Sequence, residues 1–68
     1  MNLRRALAKN VRKWRTEHGL TQEQFADLIG LHSTYVSQIE CEKRGPSIDV
    51  LQRLAEAMNI SPADLFSD

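Results

Sequence analysis

Residues 20 to 40, LTQEQFADLIGLHSTYVSQIE, restrict the fold more than any other part of this chain. They hold two short helix patterns that share one apolar side, with a sharp Gly-containing bend between them. Thr21 is expected as an N-cap, and Gln24, three residues on, completes a capping box. Phe25, Leu28 and Ile29 then recur at helical spacing. Gly30 is the stop, because glycine enters the left-handed backbone region without steric cost. A second helix begins at His32 or Ser33, with Val36 and Ile39 as its apolar side.

The outward side of that second helix is unusual. Stepping about 100° per residue from Ser33 puts Val36, Ile39 and Glu40 on one side. Ser33, Thr34, Ser37, Gln38 and Cys41 fall on the other. A solvent-facing helix side ordinarily carries Lys and Glu. Small hydroxyls and an amide instead allow close approach to another surface, and they can hydrogen-bond base edges. Two short helices around such a bend, at about 21–41, form a helix-turn-helix, whose second helix can lie in a DNA major groove. A short exposed helix of odd composition is the competing reading.

The whole pattern resembles the Cro and lambda-repressor-like, or XRE, helix-turn-helix family. Upstream, VRKWRTEHG is similar to the end of that family's first helix. Downstream, RGPSIDVLQRLAEAMNISPADLF is similar to its fourth and fifth helices. Within the family, STYVSQIE looks most like the controller proteins of restriction–modification systems. The resemblance implies an all-α, compact five-helix DNA-binding domain spanning residues 1–68. It implies that Gln22 binds a phosphate and buttresses the next helix, and that Arg15 stands opposite Glu40. A carboxylate on the inward side of that helix needs such a partner, since an unpaired buried charge is very costly. Two positions depart from the pattern. Residue 42 is Glu where many relatives have Gly, and we expect the loop to run differently there rather than strain a Glu at positive φ. Residue 33 is Ser where several relatives carry Arg or Gln, which moves base reading toward Thr34, Ser37 and Gln38, or toward DNA deformability.

Charge supports the same orientation. Net charge is zero, a poor global signature for a nucleic-acid binder. The distribution is lopsided, however. Arg4, Arg5, Lys9, Arg12, Lys13 and Arg15 fall in the first fifteen residues with no acid among them. Lys43 and Arg44 add a second basic point after the recognition helix. From Gly45 onward Asp49, Glu56, Asp64 and Asp68 outnumber Arg53. One face is expected to meet phosphates while the other points away. Arg4 and Arg5 read as plain solvated charges lying too far from DNA. Lys43 and Arg44 are candidates for the DNA backbone, the alternative being solvated loop charge. Tyr35 has two open readings: a ring on the core edge with its hydroxyl reaching a phosphate or base, or a core ring alone.

The remaining elements follow from the pattern. A first helix covers roughly 2–18, with Leu3, Leu7, Val11 and Trp14 as its stripe. Ser47 caps a fourth, whose Ile48, Leu51, Leu54, Ala55 and Met58 are expected to face the core. Ser61 caps a short fifth with Pro62 in its first turn. Val50 and Ala57 then form a surplus apolar strip beside Leu54. Together with Phe66, which fits core and surface equally, this strip is the candidate homodimer interface. Sixty-eight residues make one small domain, and such a core gives only a few kcal/mol, which dimerisation would supplement.

Catalysis fits poorly. His18, His32 and Cys41 sit on separate elements without metal-ligand spacing, and no Gly-rich phosphate loop occurs. His32 reads as a helix-start residue and His18 as one favoured by a helix C-terminus. No cofactor, small-molecule ligand or membrane partner is expected, and the lone Cys41 fits a reducing cytoplasm. The expected function is regulation of transcription by a homodimer on a palindromic double-stranded DNA operator. A protein-interaction module of the same fold, of antitoxin or antirepressor-binding type, is the alternative.

Overall fold

Asn2 starts the first helix by accepting a hydrogen bond from the Arg5 N–H at 3.1 Å. The computed structural model describes residues 2–67. In it α1 spans Leu3–Glu17, α2 Gln22–Ile29, α3 Ser33–Glu40 and α4 Ile48–Met58, followed by a 3-10 turn at Pro62–Phe66. No strand forms among the described residues. The fifth helix of the sequence pattern is therefore a 3-10 segment: Pro62 lacks an N–H, and the five residues are too few to need α geometry. Asp68 lies outside the described residues.

Each α-helix carries an N-cap of the kind that favours its start. Thr21 accepts from the Gln24 N–H while the Gln24 side chain accepts from the Thr21 N–H. Ser47 accepts from the Val50 N–H at 3.2 Å. His32 caps α3 by accepting from the Thr34 N–H at 3.1 Å. At the other end of α1, His18 stacks on Trp14 at 3.7 Å and places Nδ1 2.7 Å from the Trp14 carbonyl oxygen.

The core joins Leu7 and Val11 of α1, Phe25, Ala26 and Ile29 of α2, and Val36 and Ile39 of α3 to Val50, Leu54, Ala55 and Met58 of α4, with Leu65 closing one end. Asn10, unremarked in the sequence, ties α1 to that end by donating to the carbonyls of Leu65 at 2.8 Å and Ser67 at 2.7 Å. Three expected core residues instead face water: Leu3, Leu28 and Ile48, the last 81% exposed. Leu3 and Ile48 are the first residues of their helices, whereas Leu28 is out by rotational phase. On α2 the buried arc is centred between Phe25 and Ala26, leaving Leu28 roughly 100° away. On α4 it is centred near Leu54 and Met58. Val50 is therefore inside it, at 8% exposure, while Ile48, only about 20° from buried Ala55, is exposed because it is the first residue of the helix.

The end of α3 differs from the sequence expectation. Glu42 has φ 64°, so the loop does not run differently to spare it. The Lys43 N–H bonds the Gln38 carbonyl at 2.9 Å and the Glu42 N–H bonds that of Ile39 at 3.1 Å, a C-terminal cap whose left-handed position is held by Glu42. A Cβ there costs about 1–2 kcal/mol, partly offset by the entropy glycine would lose. Glu42→Gly is expected to raise the unfolding free energy by about 0.5–1 kcal/mol, a rise in Tm of roughly 2–8 °C for a domain of this size. Thermal unfolding checks it. Glu42→Ala, which removes the charge but keeps the Cβ, should show no such gain, and equal gains in both variants would refute backbone strain as the cause.

Candidate nucleic-acid interface

The bend between α2 and α3 is set by Gly30, at φ 71°. The Leu31 N–H reaches back to the Ala26 carbonyl at 2.9 Å, and Leu31 packs half-buried against the core. His32 then starts α3 at once. This tight connection packs α3 against α2 and α1, with Val36, Ile39 and Glu40 buried on its inner side. On its other side Thr34 is exposed, and Ser33, Ser37 and Gln38 are half-buried. The four candidate base readers thus share one helix surface that is small, polar and uncharged.

The buried side is anchored by charge. The Glu40 carboxylate is fully enclosed and receives the Arg15 guanidinium in a two-pronged bond, Nε to Oε2 at 2.7 Å and Nη2 to Oε1 at 3.0 Å. Arg15 Nη1 also donates to the Leu20 carbonyl at 2.8 Å. One side chain thereby ties together the end of α1, the entry to α2 and the recognition helix. The structure adds two donors that the sequence did not suggest for this carboxylate. Arg12 Nε stands 3.4 Å from Oε1, and Gln22 Nε2 donates to the same oxygen at 3.3 Å. Burial pushes the Glu40 carboxyl up. The bonds from Arg15 and Gln22, the Arg15 charge and the Arg12 bond outweigh it and hold the group below its ordinary value.

Gln22 therefore buttresses α3 through Glu40. It sits in the first turn of α2, where main-chain N–H groups point outward and favour an anion whatever the side chain does. Tyr35 packs its ring against the core, and its hydroxyl accepts from the Ser47 N–H at 3.4 Å, leaving the phenolic proton free to donate outward. Arg44 is not a free loop cation. Its guanidinium carbon lies 4.5 Å over the Tyr35 ring, and its Nε donates to Gln38 Oε1 at 2.6 Å. Lys43 is exposed beside it. Arg4 lies nearer to this surface than the sequence suggested, because its guanidinium covers Gly45 in the same loop. Arg5, Lys9, Arg12 and Lys13 line a separate groove along α1 that also includes Glu40 and Glu42.

The expected dimer strip lies only partly at the surface. Val50 and Leu54 lie in the core, Leu54 with no exposure at all, so neither can meet a partner. Ala57 and Phe66 remain half-buried at the core edge. The apolar side chain that α4 does present to water is Ile48, with Leu51 half-buried one turn on. Among the described residues no group of His, Cys, Asp and Glu could hold a metal ion, and no helix is long and apolar enough to cross a membrane.

Comparison with known proteins agrees with this geometry. A family model described as Helix-turn-helix matches residues 11–65. The control protein C.SmaI of Serratia marcescens is 39% identical over 67 residues, covering 98% of this chain and 80% of that protein. Among solved structures, the restriction-modification controller protein C.AhdI of Aeromonas hydrophila superposes with a TM-score of 0.83 at 36% identity, over 93% of this chain and 96% of that one. A hypothetical transcription factor from Neisseria gives a TM-score of 0.88 at 32% identity, over 96% and 75% of the two chains.

Proposed function

The chain belongs to the XRE-type helix-turn-helix family, a family of transcription regulators rather than enzymes, and from that premise we propose that it reads a palindromic DNA operator as a homodimer. The observation that carries the reading is the outer surface of α3. Ser33, Thr34, Ser37 and Gln38 form a polar strip on a helix locked from behind by Arg15 and Glu40. Residues that touch base edges must be held within fractions of an ångström, and a helix pinned by a buried two-pronged ion pair meets that demand. The first turn of α2, Tyr35 and Lys43 flank the strip and fit phosphate contact. The control proteins among the relatives support a role as controller of a restriction–modification system. Work on DNA in a bacterial cell would place the chain in the cytoplasm.

Self-pairing is supported by the apolar surface that α4 and the C-terminal turn leave open at Ile48, Leu51 and Phe66. A pair of this kind can place two recognition helices about 34 Å apart, one turn of duplex.

Selection of bound sites from a random duplex pool tests the reading. A two-fold symmetric motif is expected, with affinity falling steeply as salt rises because phosphate contacts release counterions. Gln38→Ala should lose roughly 1–3 kcal/mol on the selected site and little on random duplex. Equal losses on both would remove Gln38 from base reading. Binding that ignores salt would leave the fold a protein-interaction module.

A further inference from the structure

Gln38 is the longest of the base-reading candidates, and its carboxamide is already engaged. Its Oε1 accepts from Arg44 Nε at 2.6 Å, a short charge-assisted bond. Arg44 is in turn seated on the Tyr35 ring at 4.5 Å, and Tyr35 is pinned to the start of α4 through the Ser47 N–H. Three residues, Tyr35 of α3, Arg44 of the following loop and Ser47 at the α4 cap, therefore fix one amide. Among the described residues Gln38 makes no other side-chain hydrogen bond.

This arrangement changes what the amide can read. A free glutamine pairs with adenine by accepting from N6 and donating to N7. Here the accepting oxygen lies beside a guanidinium, and a second donor brought to it would meet a positive charge. The Nε2 hydrogens remain, so the amide is left to read a base as a donor. Guanine offers two acceptors, O6 and N7, on its major-groove edge, whereas adenine offers N7 next to an amino donor. We infer that Arg44 is a positioning residue that clamps Gln38 into a donor-only edge selecting guanine over adenine. The inference rests on the DNA-reading function proposed above and assigns one base to it.

The test is competition among duplexes carrying each of the four bases at every position of the selected site. Gln38→Ala identifies the base pair concerned. The wild-type protein is expected to favour guanine over adenine there by about tenfold. Arg44→Lys keeps the positive charge but has no planar Nε–H donor, and should reduce that preference to about twofold or less. A wild-type preference for adenine at this pair, or a guanine preference that Arg44→Lys leaves intact, overturns the clamp alone. So does Arg44→Ala weakening every sequence alike while lowering the salt slope by about one, the behaviour of a phosphate contact. A wild-type protein with no base preference overturns the clamp together with the DNA reading. A readout without DNA is the Arg44 Nε–H resonance. It should be protected from exchange in wild type and unprotected in Gln38→Ala, and a signal indifferent to Gln38 overturns the clamp.

Discussion

Arg15→Ala is expected to lower the unfolding free energy by about 3 kcal/mol, enough to remove most of the stability of a domain this small. The substitution leaves the Glu40 carboxylate enclosed with weaker partners, Arg12 at 3.4 Å and Gln22 at 3.3 Å. It also strips the Leu20 carbonyl of a donor. The cost is that of an orphaned buried charge rather than the net worth of the ion pair. Replacing both partners by apolar groups, Arg15→Met with Glu40→Leu, should accordingly recover much of the loss. Urea unfolding of the two variants separates the cases, and a double variant no better than Arg15→Ala would refute this account.

The same site sets a pH dependence. The folded-state value of Glu40 is held below its ordinary one, so its contribution is complete above the unfolded glutamate value, about 4.3. It is lost as pH falls from there through the lower folded value. Without Arg15, burial acts with less opposition, and protonation of Glu40 relieves the variant instead of harming it. The stability gap between wild type and Arg15→Ala should therefore be largest near neutral pH and shrink on acidification toward pH 3. A gap that stays constant across that range would remove Glu40 ionisation from the explanation.

The extent to which the fold was legible follows from which cues are local. Thr21 with Gln24, Gly30, Ser47 and Pro62 act within a few residues of themselves, and each marks its element correctly. Glu40 could be assigned to the buried side because a single helix of known phase contains Val36 and Ile39 as well. What was not legible depends on neighbours distant in sequence. Asn10 meets carbonyls 55 and 57 residues away, and nothing near it announces this. The Arg44–Gln38 bond depends on the cap at Glu42 folding the chain back, and glutamate is a poor advertisement for a left-handed residue. Leu3 and Leu28 belong to apolar patterns that were right in period and wrong at one edge. A helical wheel fixes spacing, but the position of the buried arc is set by the elements packed against it.

That ambiguity has its largest consequence on α4. Val50→Glu is expected to unfold the chain, not to yield the folded monomer that a surface strip would imply. Val50 is 8% exposed and belongs to the core cluster with Leu54 and Met58, so the new carboxylate would start from a position inside the core. An unpaired charge in that position costs several kcal/mol, comparable with the whole stability of the domain. Ile48→Glu is the surface counterpart. Ile48 is 81% exposed in the first turn of α4, where a negative side chain also meets the positive end of the helix dipole. Its effect on monomer stability should stay within about 0.5 kcal/mol. If α4 pairs two copies, Ile48→Glu should instead weaken the concentration-dependent dimer seen by sedimentation, and with it cooperative binding to a palindromic site. Circular dichroism together with sedimentation distinguishes every case. A helical, monomeric Val50→Glu would mean that the buried arc of α4 is misplaced. An Ile48→Glu that is folded and dimerises as wild type does would move the pairing surface off α4.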